Sequence, residues 1–422
     1  MNTEQFHGNL ETVVPRLLSV WDELSTRFPT PRHARAPCRA RFESTARFLM
    51  KEAKLGAVFI IRAGRCRALL IFANSEYRTP WDWSQVVTEL GQGVDERILD
   101  TLCRDSDMKL RNVAFTACWA SHYILCCVEQ PRGCCATPWE RYVPLLQAAA
   151  ESNALPDVDL ILNRRDCPVF RRSGDHCYAF ASPTCRRPES SNLLPALSVY
   201  QGTEWSDLPV IEPDLPRRAK GTRWEHKKEI ALFRGSATGP GVTSSTNTRL
   251  AVANMAIEGL VDAGITSHPK RFKIEDGVLY RPSTGKTVEP VPASDWSCWK
   301  YLIYADGHSA ALRYGSMMSC KSVILKVDPV MSRADDAHAL WFFPKLHGVR
   351  FGGEAVLVGD VDRADHIKVS VALLHDCVVY LRKHDDIACA IAARSNAFFV
   401  NELSPAKRAE ALAEQVCAAA GK

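Results

Sequence analysis

Residues 229–255 read EIALFRGSATGPGVTSSTNTRLAVANM. An apolar run breaks into a glycine-bracketed polar turn and is followed by apolar residues at helical spacing, the order strand, loop, helix. In open α/β sheets ligands sit beyond the carboxyl ends of strands, so the turn 233–241 is where a ligand would be met. The loop of nucleotide hydrolases ends in Gly-Lys-Ser/Thr so that its lysine reaches the outer phosphates, and no lysine follows these glycines. That leaves two readings. Backbone N–H groups, the hydroxyls of Ser236 and Thr238 and the guanidinium of Arg234 suit some other phosphate. Alternatively Ser236 and Thr238 cap a turn, and Arg234 is a salt-bridged arginine at a strand end.

Working outward, the same alternation recurs. KYLIYA at 300–305 and SVILKV at 322–327 read as strands, with a loop and helix in GHSAALRYGSMMSC between them. The segment 246–260 reads as a helix with Asn247 or Thr246 as N-cap. On the N-terminal side, 139–153 has helical spacing, and LPDVDLILNRRDCP (155–168) gives a strand from Val158 to Leu162 ending in a proline-stopped loop. GAVFIIRAG and CRALLIFA, within 56–73, read as two strands joined by a tight turn at Gly64-Arg65. In the tail, Ser404 is a cap and Pro405 the first residue of a closing helix.

Strands alternating with helices call for parallel pairing and right-handed crossovers, hence an α/β fold with Rossmann-like domains. The proline-rich stretch 183–222 lacks periodicity and carries the boundary. The expected division is an N-terminal domain over 1–215, a C-terminal domain over 216–400 and a final helix over 401–422. Three polar clusters then stand at strand ends: NRRDCP, RGSATG and DGHSAALR. Two sheet domains around a linker place the first on one wall of a cleft and the other two opposite.

Bulk properties limit the alternatives. The chain has 422 residues, 46% hydrophobic and 24% charged, ordinary values for a globular protein of two domains. Lysine and arginine exceed aspartate and glutamate by only five, and the basic stretch 216–228 reads as a solvated linker. No nucleic-acid partner is expected. No signal peptide or bilayer-spanning run is visible, which points to a cytoplasmic protein without a transmembrane segment. The sixteen cysteines are then expected to be mostly reduced thiols. CCVEQPRGCC at 126–135 lacks the spacing by which one turn chelates zinc, and Cys126 and Cys127 continue an apolar run, so burial in a strand is expected and no metal site.

Several blocks together resemble glycosyltransferase family 90, the family of protein O-glucosyltransferases and capsule-associated xylosyltransferases. They are ALFRGSATG, TNTRLAVANM, KYLIYADGHSAALRYGSMMSCKSVILKV, WFFPKL and DDIACAIAARSNAFFVNEL, with LPDVDLILNRRDCP resembling the N-terminal block. The resemblance covers roughly 139–405. It implies a GT-B architecture, two Rossmann-like domains facing across a cleft with a C-terminal helix crossing back to the first. It also implies inverting, metal-independent transfer of a sugar, glucose or xylose, from a UDP-sugar donor substrate to a hydroxyl of a protein or glycan acceptor. No further cofactor is implied.

Carried over residue by residue, the resemblance makes Asp166 the general base. Arg234 and Ser236 lie at the donor, Arg249 matches an arginine on its phosphates, and His308, Ser309, Ala310, Ala311, Leu312 and Arg313 form the loop and helix start that clasp the diphosphate. The chemistry agrees, because a departing diphosphate without a metal needs arginines and a helix N-terminus to take its charge. Other readings stand beside these. Asp166 also suits a structural aspartate bonding its own loop. Asp157 is a rival carboxylate, but it precedes the strand. His308 contributes its backbone more naturally than its ring. A catalytically inactive nucleotide-sugar or glycan binder of the same fold is the alternative to an enzyme. The chain departs from the family after WFFPKL and at Cys167, where sugar and acceptor selectivity would be set, and residues 1–110 carry none of the family's blocks and are assigned to acceptor recognition.

Overall fold

The computed structural model describes residues 2–30, 37–53, 55–74, 113–119, 122–127, 142–152, 155–163, 170, 193–202, 206–209, 221–239, 241–268, 272–275, 278–280, 285–307, 309–331, 339–354 and 356–421. Its framework is two large sheets. The first has the order β1-β3-β2-β6-β7-β9, with β1 Asn2–Gly8, β2 Leu55–Arg62, β3 Arg65–Asn74, β6 Val158–Asn163, β7 Ala196–Ser198 and β9 Leu208–Pro209. Between them in sequence, β4 Val113–Trp119, β5 His122–Cys127 and β8 Tyr200–Gln201 leave this sheet for smaller ones.

The first sheet is mixed: β1–β3, β6–β7 and β7–β9 are parallel, whereas β2 runs antiparallel to both β3 and β6. The sequence signalled that hairpin one residue late. Its turn is Ala63-Gly64, with φ of 48° and 73°, the pair of positive φ values that lets a two-residue loop follow the twist of its strands. Glycine takes this conformation freely. Ala63 is held there by its N–H, which donates to Asp157 Oδ1 at 2.7 Å. Asp157 also accepts from the Thr30 hydroxyl at 2.9 Å, so this rival carboxylate is a turn brace at the far end of β6.

Helices cover both faces. On one side lie α1 (Leu10–Arg27) and α2 (Arg39–Phe48); on the other lies α3 (Tyr142–Ser152). Asn9 caps α1 by accepting from the Thr12 N–H at 2.9 Å, and Val13, Val14, Leu17, Leu18, Trp21 and Leu24 form its buried stripe. Beneath α1 a charged pair is fully enclosed: Arg62 Nη1 lies 2.6 Å from Asp159 Oδ1, and Trp21 Nε1 donates to Asp159 Oδ2 at 2.7 Å.

The second sheet has the order β11-β10-β14-β15-β19-β17-β18. Its strands are β10 Lys228–Ser236, β11 Val261–Ser267, β14 Trp299–Tyr304, β15 Val323–Val327, β17 Gly348–Phe351, β18 Leu357–Val358 and β19 His366–Val369. All neighbours are parallel except β17–β18. The near-continuous burial of β14 and β15 is what a sheet covered on both faces demands. One face packs against α4 (Thr248–Ala253), α6 (Leu374–Lys383) and α7 (Asp385–Glu402), and the other carries α5 (Tyr314–Ser319). The helix expected over 246–260 ends at Ala253, because the chain turns at Gly259 (φ 72°) into β11, a strand that its polar residues had hidden.

The two halves meet in one apolar core. It runs from Phe59, Leu69 and Leu160 of the first sheet through α3 to Leu232, Leu302 and Tyr304 of the second. The closing helix α8 (Pro405–Ala420) sits in that core, with Leu412 and Val416 fully buried beside Leu146 and Ala149 of α3. Its sequence start is as read, with Ser404 as N-cap and Pro405 at the first position. Small sheets also join the halves. β12 (Phe272–Glu275) pairs antiparallel with β5 and with β13 (Val278–Tyr280), and β16 (Ala339–Leu340) pairs with β8. The expected strand at Cys126 and Cys127 is present as the end of β5; their side chains lie outside the described residues. Among the described residues no helix is long and apolar enough to cross a membrane.

Candidate functional site

The site is built where β10 and β14 end side by side. β10 has a register irregularity at Gly235/Ser236, after which the chain turns away from the sheet. Ala237 N–H and Ser236 Oγ both donate to the Ser267 carbonyl, at 2.9 and 3.2 Å, pinning the exit of β10 to the end of β11. The turn then doubles back at Gly241 (φ 72°), where an added Cβ would fall 2.5 Å from the Thr246 carbonyl oxygen. Only glycine fits that approach.

Asn247 locks this turn to α4. Its Oδ1 accepts from the N–H of Arg249 at 3.0 Å and of Leu250 at 3.2 Å, the bonds of an N-cap. Its Nδ2 donates to the Gly241 carbonyl at 3.3 Å, so one buried side chain fixes both the helix start and the loop before it.

Arg249, on the first turn of α4, is 5% exposed. Its Nη1 donates to the Ser236 carbonyl at 3.1 Å and to Thr238 Oγ1 at 2.5 Å, and its Nε to the carbonyls of Ala305 and Asp306, both at 3.2 Å. The guanidinium thus ties the end of β10 to the end of β14. Gly307 follows, and a Cβ there would stand 2.8 Å from Thr238 Oγ1 and 3.1 Å from Arg249 Nη2. Burial lowers Arg249 to about 10, and the neighbouring charge of Arg313 pushes the same way. Arg313 is lowered by burial too. Its Nη1 donates to the Arg234 carbonyl, and its guanidinium lies 5.9 Å from the Trp296 ring centre. Among the described residues neither arginine forms an ion pair. Two neighbouring cations, one buried and one half-buried, with carbonyls and a hydroxyl as partners, suit an anion.

The loop before Arg313 is set from below. The Tyr304 hydroxyl, wholly buried at the end of β14, accepts the Ala311 N–H at 2.7 Å, while the Tyr314 ring packs edge-on against Tyr304 at 4.7 Å. The Ser309 carbonyl accepts from Gly307 N–H at 3.0 Å, and Ala310 enters the core.

The structure therefore gathers Ser236, Arg249, Ser309, Ala310, Ala311, Leu312 and Arg313 at one sheet end. Arg234 takes its structural alternative: its guanidinium reaches β11, with Nη2 2.7 Å from Asp262 Oδ1, and it bonds the Glu289 carbonyl at 3.2 Å. Asp166 and His308 lie outside the described residues. The backbone on either side of 164–169 is anchored, however. The Asn163 carbonyl accepts from Val199 N–H at 3.3 Å and its Nδ2 donates to Ser198 Oγ at 2.8 Å; Phe170 N–H donates to Asp207 Oδ1 at 2.7 Å. Tyr200, the first residue of β8, is buried in the same core as Tyr304 and Tyr314. Sequence reasoning named Thr238 but passed over Gly307 and Tyr304 as contributors. For Tyr304 the only signal was a polar-tipped aromatic closing an apolar strand.

Residues 140–338 match the model of glycosyl transferase family 90. The matched segment contains Asn163, Arg249 and Arg313. At 24% identity over 350 residues, the chain is similar to uncharacterized protein 035R of Invertebrate iridescent virus 3, covering 73% of this chain and 31% of that protein. It is 24% identical over 262 residues to protein O-glucosyltransferase 1 of Rattus norvegicus, covering 59% of this chain and 58% of that one. With the O-glucosyltransferase rumi homolog of Aedes aegypti it shares 26% over 259 residues, 57% and 55% of the two chains. The chain thus spans less than two-thirds of the length of these relatives.

Proposed function

We propose that the protein transfers a sugar, glucose or xylose, from a UDP-sugar to a hydroxyl of a protein or glycan by a single inverting displacement that requires no metal, in a GT-B arrangement of its two halves. The observation that carries this reading is the pair formed by the buried Arg249 and the half-buried Arg313, each at a helix start and without an ion pair among the described residues. As the bond from the anomeric carbon to the UDP oxygen breaks, negative charge grows on the diphosphate. Guanidiniums already fixed in place stabilise it without reorganising.

The acceptor oxygen forms the new bond from the opposite face, and Asp166, three residues beyond the end of β6, takes its proton. Asn163 and Phe170, on either side of 164–169, are the anchored described residues nearest to it. Tyr304 fixes the Ala311 amide, so the clasp on the donor falls to the remaining groups of 308–313 and to Arg313. Arg234 shapes the sheet end from behind.

The test is titration calorimetry with UDP in EDTA, followed by hydrolysis of a panel of UDP-sugars by the wild type and Asp166→Asn. Binding without metal, weakened at least tenfold in Arg313→Gln, with UDP release from one sugar abolished in Asp166→Asn, is the expected result. Binding that survives Arg313→Gln, or turnover that survives Asp166→Asn, overturns the corresponding assignment.

A further inference from the structure

At the hairpin end of the first sheet, away from the arginine pair, lies a cavity of about 420 Å³ between the C-terminus of α1, the start of β3 and the last turn of α3. Arg27, Arg65 and Arg67 line it, with Phe28 and Glu151. β3 begins there opposite Arg62, and Ile61 pairs with Val158, the first residue of β6, so the cavity stands at the opposite end of β6 from its last residue, Asn163. A six-residue strand separates the two ends by roughly 17 Å.

The three guanidiniums are not scattered surface charges. Arg67 stacks 4.0 Å from the centre of the Phe28 ring and Arg27 lies 5.4 Å from it, so one aromatic side chain aligns two forks. Arg67 Nε donates to the Arg62 carbonyl at 2.9 Å, fixing that fork to the hairpin. Among the described residues none of the three forms an ion pair. The C-termini of α1 and α3 supply roughly half a negative charge each, and Glu151 one more, so against three cations a net positive charge of about one remains. Fixed planar forks suit phosphate oxygens, and a volume of this order accommodates a small organic molecule.

We infer that this cavity binds a phosphorylated small molecule of sugar-phosphate size, at a site separate from the proposed donor site. Cys66, also in its wall, takes no part, since burial pushes its thiol up to about 12. The test is titration of the full chain with glucose 6-phosphate, with glucose as control, for the wild type, Arg65→Glu and the double variant Arg27→Gln/Arg65→Gln. Both positions are exposed, so the fold is retained, and an unchanged melting profile and unchanged UDP titration verify this. The expected result is one binding event for glucose 6-phosphate, none for glucose, and at least tenfold weaker binding in both variants. Unchanged affinity in the variants assigns the phosphate to other cations and overturns the inference. So does the absence of binding at millimolar concentration. Neither result touches the assignment of Arg249 and Arg313, which the UDP titration reads independently.

Discussion

Arg249 and Arg313 stand at two helix starts, the charge of Arg313 acting against that of Arg249, which is held by four backbone and side-chain oxygens at and just beyond the ends of two strands. Such a pair costs stability until an anion arrives. UDP is therefore expected to raise the melting temperature of the wild type, and the gain is expected to vanish in Arg249→Gln; differential scanning fluorimetry with and without UDP in EDTA measures both.

Gly307→Ala is a test of the same geometry without touching a charge. Its Cβ would press on Thr238 Oγ1 and Arg249 Nη2, so the guanidinium must shift. UDP affinity is expected to fall about tenfold or more, the equivalent of ~1.4 kcal/mol, while urea stability changes little. Affinity equal to wild type would show that the arginine need not stand where it does.

Tyr304→Phe removes the acceptor of the Ala311 N–H. Leaving a buried donor unpaired costs ~1–3 kcal/mol, and the loss should be local. Hydrogen exchange at Ala311 and its neighbours is expected to speed up, with the strands of the second sheet unaffected.

In the first sheet, Arg62→Met would leave Asp159 buried with Trp21 as its remaining described hydrogen-bond donor. Breaking one side of such a pair destabilises by ~3–5 kcal/mol. The double variant Arg62→Met/Asp159→Leu is expected to recover most of that in urea titrations, because no unpaired charge remains.

Lys227 gives the pH dependence. It is buried, its ammonium donating to the carbonyls of Ser297 and Cys320 at 2.8 Å each and to Ser322 Oγ at 3.0 Å, and burial lowers it to about 8 from 10.5. Between these values the unfolded chain binds more protons than the native one, so stability rises with pH from about 8 toward 10.5 and levels off below 8. Relative to Lys227→Met, the wild type is expected to gain stability from pH 7.5 to 9.5; a parallel slope in the two proteins would rule the mechanism out.

The sequence by itself determined the local features. The strand, cap and helix order at 229–255, the Asn247 cap, the Ser404-Pro405 helix start and the 56–73 hairpin are fixed by side-chain volume, cap chemistry and allowed φ/ψ within a few residues. Tertiary structure decided what neighbours from distant parts of the chain impose. The polar strand β11 forms because β10 needs a partner, and the first sheet turns out mixed because β2 pairs antiparallel with β6, 97 residues apart at Arg62 and Asp159. Arg234 and Arg249 look alike in sequence, yet one meets the Asp262 carboxylate while the other meets only carbonyls and a hydroxyl among the described residues. Which arginine is neutralised and which stays available to an anion depends on contacts 28 and 56 residues away, and no local pattern encodes those distances.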